Sequence, residues 1–170
     1  MNSNKNLVFL GMMGSGKSSI GNLVSKKLDL PFFDIDSLII KNTGMSIIEI
    51  FEKKGESYFR NLEEKFTLKS LKKIGNIISL GGGGFINNKI REEILTNHFS
   101  FWLNWNEEIL IKRIKDSKKR PLAFKSSDHE IKSIIKYRSI IYSDAQFKIN
   151  CNKLTKTEIV KKIIKIYEIN

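Results

Sequence analysis

The fold is decided by the stretch Leu7-Val8-Phe9-Leu10-Gly11-Met12-Met13-Gly14-Ser15-Gly16-Lys17-Ser18. Its first four residues form a compact apolar run, which predicts a buried strand. The apolar residues Ile20, Val24 and Leu28 follow with helical spacing. Between strand and helix, the glycine-rich segment fits the spacing G-x-x-x-x-G-K-[ST] in the context that this motif requires. The stretch therefore predicts a phosphate-binding loop, in preference to an ordinary glycine-rich turn.

The chemistry of this loop predicts a nucleoside triphosphate as its ligand. Glycines let the backbone curl so that several N–H groups point inward, and the start of the helix adds partial positive charge. Lys17 is expected against the β- and γ-phosphates, and the Ser18 hydroxyl is expected on a magnesium ion, which prefers oxygen ligands. The candidate ATP-binding residues here are Gly14, Ser15, Gly16, Lys17, Ser18 and Ser19.

Outside the loop, apolar runs alternate with segments of helical periodicity. Strands are predicted at 76–80, 99–103 and 147–149, and helices at 47–53, 56–73, 87–96, 107–114, 130–142 and 157–167. Asp36-Ser37 and Asn106 are the predicted helix caps, and the basic segment 116–128 is predicted to be a surface loop with a function. This alternation predicts an α/β fold in one domain, 1–170, with a central parallel sheet of about five strands flanked by helices.

Composition limits the possible functions and compartments. No apolar run approaches the length of a membrane span, and Cys151 is alone, so we expect a cytoplasmic protein without an intrachain disulfide. His98 and His129 have no companion cysteines at ligand spacing, which argues against a zinc site. The net charge of +12 is consistent with anionic partners, or equally with a coding bias toward lysine, because only five of the 30 basic residues are arginines.

Further motifs follow the phosphate loop in a fixed order: Asp34-x-Asp36, Phe51, Gly55, Phe59-Arg60, Leu80-Gly81-Gly82-Gly83, Arg120-Pro121-Leu122, and Arg138 four residues before Tyr142. In this order the chain resembles the shikimate kinase family over nearly its whole length. The resemblance implies the P-loop NTPase fold of the nucleoside-monophosphate-kinase-like enzymes. It also implies transfer of the γ-phosphoryl group of ATP to the 3-hydroxyl of shikimate, a step toward chorismate and the aromatic amino acids, with Mg²⁺ as the required ion.

The resemblance also implies roles for residues on the substrate side, in a region at about 34–62. Asp34 would help Ser18 to organise magnesium, and Asp36 would hydrogen-bond the substrate hydroxyls and orient the reacting proton. Arg60 and Arg138 would bind the carboxylate, for which a guanidinium fork is suited. Without the resemblance, Arg60 could instead pair with a glutamate of its own helix, namely Glu56, Glu63 or Glu64.

The glycines and aromatic residues of the pattern would shape the same pocket. Gly81, Gly82 and Gly83 would bring backbone close to the ligand, where a side chain would intrude. Phe51 and Phe59 would line the pocket, and packing in the core is the alternative role, compatible with the first.

On the nucleotide side, the segment 115–128 resembles the lid of the family. Its Arg120 would meet the phosphates and complete a catalytic set with Lys17 and Asp36, the alternative being a solvated loop. Arg113 would stack on or flank adenine, although arginines on helices often only reach solvent. The expected partners are ATP and shikimate, with no nucleic acid or membrane, and the protein is expected to be a monomer.

The chain departs from the family pattern at two places, and two rival functions stay open. Ser79 stands where many P-loop ATPases carry an aspartate, and the shikimate kinase family shares this absence. The two departures are the segment Ser139-Ile140-Ile141, where the family commonly has a proline before the tyrosine, and Gly84, which replaces a small residue that is more usual there. The nearest rival is another small-metabolite kinase such as gluconate kinase, which lacks this motif set. A non-catalytic module that binds nucleotide or nucleic acid is the rival from a different class.

Overall fold

A parallel β-sheet is the framework of the protein. The computed structural model describes residues 5–116 and 127–170. Within them, the sheet has five strands in the order β2-β3-β1-β4-β5, and every pairing is parallel. The strands are β1 (Leu7–Leu10), β2 (Phe32–Asp34), β3 (Ile77–Ser79), β4 (Phe99–Asn104) and β5 (Phe147–Asn150). The predicted α/β fold with about five parallel strands is therefore confirmed.

Helices connect the strands and cover both faces of the sheet. They are α1 (Lys17–Leu28), α2 (Ile35–Thr43), α3 (Ile47–Lys54), α4 (Glu56–Leu71), α5 (Asn88–Asn97), α6 (Glu107–Lys115), α7 (Asp128–Tyr142) and α8 (Lys156–Ile169), with a 3₁₀ turn at Gly84–Ile86. Their bounds lie within a few residues of the predicted ones. Among the described residues, no helix has the combined length and apolar character that crossing a membrane requires.

Alternate residues of the strands point into two separate hydrophobic cores. In β1, Val8 and Leu10 belong to the core shared with α2 to α7, whereas Leu7 and Phe9 belong to the core shared with α1 and α8. This is the two-residue period of a strand that is buried on both faces. Full burial of one such side chain contributes about 1.5–3 kcal/mol, so the two cores together stabilise the central strand.

One predicted helix cap is wrong, and the other lies at the predicted position without a side-chain bond. The residue that caps α2 is Asp34, whose Oδ1 accepts from the Ser37 backbone N–H at 2.9 Å, and Asp36 lies in the first turn of the helix. The chain bends as soon as β2 ends, so the helix begins before the predicted cap. Asn106 is the N-cap residue of α6, as predicted, but its side chain makes no cap hydrogen bond; its backbone N–H donates to Asn152 Oδ1 at 2.6 Å.

The carboxyl ends of neighbouring strands bring the predicted functional segments to one edge of the sheet. The phosphate loop follows β1, Asp34 ends β2, and the glycine segment 81–83 follows β3. In open α/β sheets, ligands bind in the crevice at this edge. The topology therefore places segments that are far apart in the sequence around a common cleft.

Candidate active site

The phosphate loop has the curled backbone that its sequence predicts. Gly14 and Gly16 have φ values of 83° and 88°, a left-handed conformation that favours glycine. The Ser15 N–H donates to the Met12 carbonyl at 3.1 Å, which closes the turn before α1. Lys17 is nearly buried, and its Nζ donates to the carbonyls of Gly11 at 2.8 Å and Met12 at 3.1 Å. The lysine is thus held on the loop by neutral carbonyl oxygens.

Ser18 and Asp34, the two residues predicted to hold a metal, are in contact. The Ser18 hydroxyl donates to Asp34 Oδ2 while the other oxygen of this carboxylate caps α2. A hydroxyl beside a carboxylate fits Mg²⁺, which takes one or two protein oxygens and completes its shell with phosphates and water. In residues 5–116 and 127–170, no three His, Cys, Asp or Glu side chains form a cluster that could hold a metal. The donor set therefore suits a metal that arrives with the nucleotide.

Three consecutive glycines form the centre of the second half of the site. A Cβ atom on Gly81 would overlap Glu63 and approach Asp36, and one on Gly83 would overlap the Arg60 guanidinium. A Cβ atom on Gly82 would lie 3.3 Å from Arg138 Nη1 and 3.4 Å from the backbone nitrogen of Met13, which belongs to the phosphate loop. The absence of side chains at 81–83 is what lets the acidic and basic groups converge beside the loop.

Arg60 is positioned by two glutamates of its own helix. Its Nη1 donates to Glu63 Oε2 at 2.7 Å, and its Nη2 donates to Glu56 Oε1 at 3.1 Å. Burial lowers the pKa of Arg60, but attraction and hydrogen bonds from the two carboxylates outweigh this effect, so that the net pKa is raised. Two of the three intrahelical pairs considered from the sequence are present, and Glu64 instead bonds Asn87 and Lys89. The guanidinium is therefore fully charged and held in one orientation.

Arg138 and Tyr142 share one acceptor, the carbonyl of Gly82. Arg138 Nη1 donates to this oxygen at 3.2 Å and the Tyr142 hydroxyl donates to it at 2.5 Å. Burial raises the pKa of Tyr142 to about 12, so the phenol remains a proton donor at physiological pH. One turn of α7 thus fixes both an arginine of the cluster and the backbone of the glycine segment.

A cavity of about 380 Å³ opens beside this cluster, and Arg60, Glu63, Gly83 and Arg138 are among the residues that line it. The size is sufficient for one small cyclic metabolite. Phe51 and Phe59 pack against each other with ring centroids 4.9 Å apart, and Phe59 is buried in the core.

The remaining predicted residues lie on the nucleotide side. Arg113 is exposed on α6, and its Nη1 lies 3.4 Å from the Gly14 carbonyl of the phosphate loop. Ser19 is exposed in the first turn of α1. Arg120 and most of the predicted lid, residues 117–126, fall outside the described residues.

Sequence reasoning assigned no site role to three residues that hold the site together. Glu63 was considered only as a partner of Arg60, and its burial beneath Gly81 could not be read from helix spacing. Tyr142 ends the last motif of the family pattern, four residues after Arg138, but nothing in the sequence indicates that its hydroxyl bonds Gly82. Trp105 donates from Nε1 to the Ser15 carbonyl at 2.9 Å, and no motif marks it.

The comparisons with known proteins agree with this geometry. The family model for shikimate kinase matches residues 13–168. A shikimate kinase from Thermodesulfovibrio yellowstonii is 39% identical over 165 residues, which cover 96% of this chain and 95% of the relative. The chain belongs to the shikimate kinase family.

Solved shikimate kinases also share its structure. The enzyme from Acinetobacter baumannii, determined in complex with shikimate, has a TM-score of 0.92 and 26% identity, with coverage of 99% of this chain and 96% of that one. The enzyme from Aquifex aeolicus has a TM-score of 0.86 and 37% identity, with coverage of 96% of both chains. A gluconokinase from Sinorhizobium meliloti, 13% identical with a TM-score of 0.58 and coverage of 99% and 96%, shares the fold only. The rival function of another small-metabolite kinase, such as gluconate kinase, is thus not favoured.

Proposed function

We propose that this protein transfers the γ-phosphoryl group of ATP to the 3-hydroxyl of shikimate, giving ADP and shikimate 3-phosphate. One observation carries the proposal: Arg60, Arg138 and Asp36 converge on the glycine segment 81–83, which itself adjoins the phosphate loop at Met13. Two guanidinium groups fit a carboxylate, and a carboxylate beside them fits a hydroxyl. Membership in the shikimate kinase family, and the bound shikimate of the A. baumannii relative, support this assignment.

On the acid side, Arg60 and Arg138 bind the shikimate carboxylate and Asp36 binds its hydroxyls. Glu63 and Glu56 fix Arg60 before the substrate arrives, so little conformational entropy remains to be lost on binding. In the reaction, the 3-oxygen forms a bond to the γ-phosphorus and the bond from that phosphorus to the β–γ bridging oxygen breaks. Asp36 orients the hydroxyl and accepts its proton, which then passes to water. Phe51 and Phe59 line the substrate region at 34–62, and Gly81, Gly82 and Gly83 admit the ring.

On the nucleotide side, backbone N–H groups of Gly14, Ser15 and Gly16 bind the phosphates, and Ser18 and Ser19 extend the contact into α1. Lys17 leaves the loop carbonyls for the β- and γ-phosphate oxygens, whose charge increases in the transition state. Ser18 and Asp34 would hold Mg²⁺, which would supply neutralisation of the negative charge on the phosphate oxygens.

Two arginines complete the proposal. Arg113 stacks on adenine. Arg120, whose role is proposed from the sequence alone, contacts the transferred phosphoryl group from the lid at about 115–128 and excludes water with it. We further propose a cytoplasmic monomer of one domain, 1–170, that needs neither nucleic acid nor a membrane.

A coupled assay for ADP release tests the function. Purified protein with ATP and Mg²⁺ is supplied in parallel with shikimate, gluconate and nucleoside monophosphates, and with no acceptor as the blank. We expect ADP release above the blank with shikimate only, and phosphorus NMR of the product should detect a phosphate monoester. Release with gluconate, or no acceptor-dependent release, would refute the assignment.

A further inference from the structure

Trp105 connects the β4–α6 junction to the phosphate loop. It lies between the last residue of β4 and the first residue of α6, and it is half-buried. Its indole Nε1–H donates to the Ser15 carbonyl at 2.9 Å, across 90 residues of sequence. An indole has one N–H, so this bond directs that edge of the ring to the loop, and packing of Trp105 against both hydrophobic cores restricts rotation about the bond. The large flat surface of the ring is therefore held in a set orientation beside the nucleotide site.

Arg113 lies over that surface. Its guanidinium carbon is 3.8 Å from the centroid of the Trp105 ring, close enough for a cation–π contact. Its Nη1 also approaches the Gly14 carbonyl at 3.4 Å, so both side chains are directed to adjacent carbonyls of the same loop. Arg113 is nevertheless exposed, and with one face of the guanidinium on the indole the opposite face is accessible to a ligand.

We infer that Trp105 is a positioning residue for the nucleotide base: it holds Arg113 in the orientation in which adenine can stack on the outer face of the guanidinium. The inference rests on the nucleotide site of the proposed function and adds a residue to it. Bound nucleotide would complete a three-layer stack of indole, guanidinium and purine. The arrangement serves the base and not the phosphates, because the ring contacts the loop through a carbonyl while phosphates are bound by N–H groups.

The physical advantage is pre-organisation. An exposed arginine has many rotamers, and immobilising it during binding opposes association. On the indole, this ordering has taken place before the nucleotide arrives. The cation–π contact and the avoided ordering together correspond to about three- to tenfold in nucleotide affinity.

The test measures binding of ADP and of inorganic tripolyphosphate by calorimetry to four proteins: native, W105L, R113A and the double variant. Tripolyphosphate occupies the loop but has no base. We expect W105L to weaken ADP binding about three- to tenfold and to leave tripolyphosphate binding within about twofold of the native value. The double variant should bind ADP as tightly as R113A alone, because both substitutions remove the same interaction. W105F, which keeps a ring under Arg113, should retain most of the ADP affinity.

Three outcomes would overturn the inference. ADP affinity could be unchanged in W105L, or it could fall by the same factor as tripolyphosphate affinity, or the two substitutions could be additive. Tripolyphosphate binding also reports that the loop of each variant is folded, and W105Q, which likewise removes the aromatic surface under Arg113, replaces W105L if W105L does not fold. None of these measurements uses shikimate, so a failure of the proposed acceptor would appear only in the ADP-release assay and is distinguishable.

Tryptophan emission supplies an independent readout, because the chain has only two tryptophans and Trp102 is nearly buried in the core. ADP should change the emission of the native protein, and this change should be lost in W105L. An equal ADP-induced change in W105L would contradict the inference.

Discussion

The two halves of the site are built in different ways. The phosphate-binding half is one continuous segment, residues 11–18, whose work is done mainly by backbone groups and one lysine held on neutral carbonyls. The acid-binding half takes Asp36 from α2, Arg60 from α4, Arg138 from α7 and glycine backbone from the end of β3. One of its two arginines, Arg60, is ion-paired with glutamates of the protein itself. In the proposed function, a local backbone motif thus binds the common co-substrate, while tertiary structure forms the site that distinguishes one acceptor from another.

The difference has an electrostatic consequence. Lys17 donates to two neutral carbonyls of the loop, from which negatively charged phosphate oxygens can attract it. Arg60 is already ion-paired with Glu63, a carboxylate that is 2% exposed. A substrate carboxylate must therefore bind to an arginine that is already ion-paired. The planar geometry of the guanidinium group then contributes more to carboxylate binding than the net charge of the pair does.

The largest effect on turnover is expected for Arg120, the arginine that is proposed to neutralise phosphate charge from the lid. Arg120→Ala should lower kcat by about 10³- to 10⁵-fold, since an arginine that contacts the transferred phosphoryl group accelerates related reactions by this factor. Steady-state kinetics with both substrates varied would measure it, and the Michaelis constants should change much less. Turnover close to that of the native enzyme would remove Arg120 from the catalytic set.

Within the loop, Lys17→Ala should lower kcat by about 10²- to 10³-fold, because one pre-organised donor to the transition state is lost. The matched control is Lys26→Ala, an exposed lysine near the end of the same helix, which should leave kcat unchanged. Both variants should keep a native circular dichroism spectrum. If the two variants had equal activity, the catalytic role of Lys17 would be wrong.

For the acid-binding half, Arg60→Lys should raise the Michaelis constant for shikimate about 10- to 100-fold, since a point charge replaces a planar fork and a charge-assisted hydrogen bond is lost. The Michaelis constant for ATP should hardly change. Arg113→Lys provides the reciprocal control, with a change for ATP and none for shikimate. An Arg60→Lys enzyme impaired only toward ATP would mean that the two halves have been assigned the wrong way round.

A smaller effect is expected from Tyr142→Phe, which removes one of the two donors to the Gly82 carbonyl. Arg138 still satisfies that oxygen, so we expect the shikimate Michaelis constant to rise by about fivefold, as for loss of one ordinary hydrogen bond. Because the pKa of Tyr142 is about 12, the pH profile of the native enzyme between 6 and 9 should have no step that this variant abolishes; kinetics at several pH values would detect one. A loss of kcat without a change in the Michaelis constant would contradict a positioning role.

His98, at the amino end of β4 and away from both halves, should affect stability and not activity. Burial lowers its pKa, an effect that nearby Glu93 partly offsets. Below about pH 6.5 the unfolded chain takes up a proton that the folded chain resists, so the free energy of unfolding should decrease as pH falls from there toward the folded-state pKa. Urea denaturation at pH 7.5 and 5.5 should give a smaller decrease for His98→Gln than for the native protein. An equal decrease in both proteins would exclude His98 as a cause.

More of the phosphate-binding half than of the acid-binding half could be predicted from residue patterns alone. The loop and the alternation of strands and helices could be derived from residue patterns, because their determinants are local. The roles of Asp36, Arg60 and Arg138 came from family resemblance, since no pattern reveals that three distant residues meet at Gly81–Gly83. The cap of α2 was misplaced by two residues because the bend at Asp34 depends on where β2 pairs. Tyr142 and Trp105 were missed because their hydrogen bonds are to backbone atoms that only the fold brings near.

A crystal structure of the protein with ADP and shikimate tests the central claim most directly. The account predicts that the shikimate carboxylate lies between Arg60 and Arg138, with the ring over Gly81–Gly83 and the 3-hydroxyl directed to Asp36 and to the end of the diphosphate. A carboxylate bound elsewhere, or shikimate absent from this cavity while ADP occupies the loop, would contradict it.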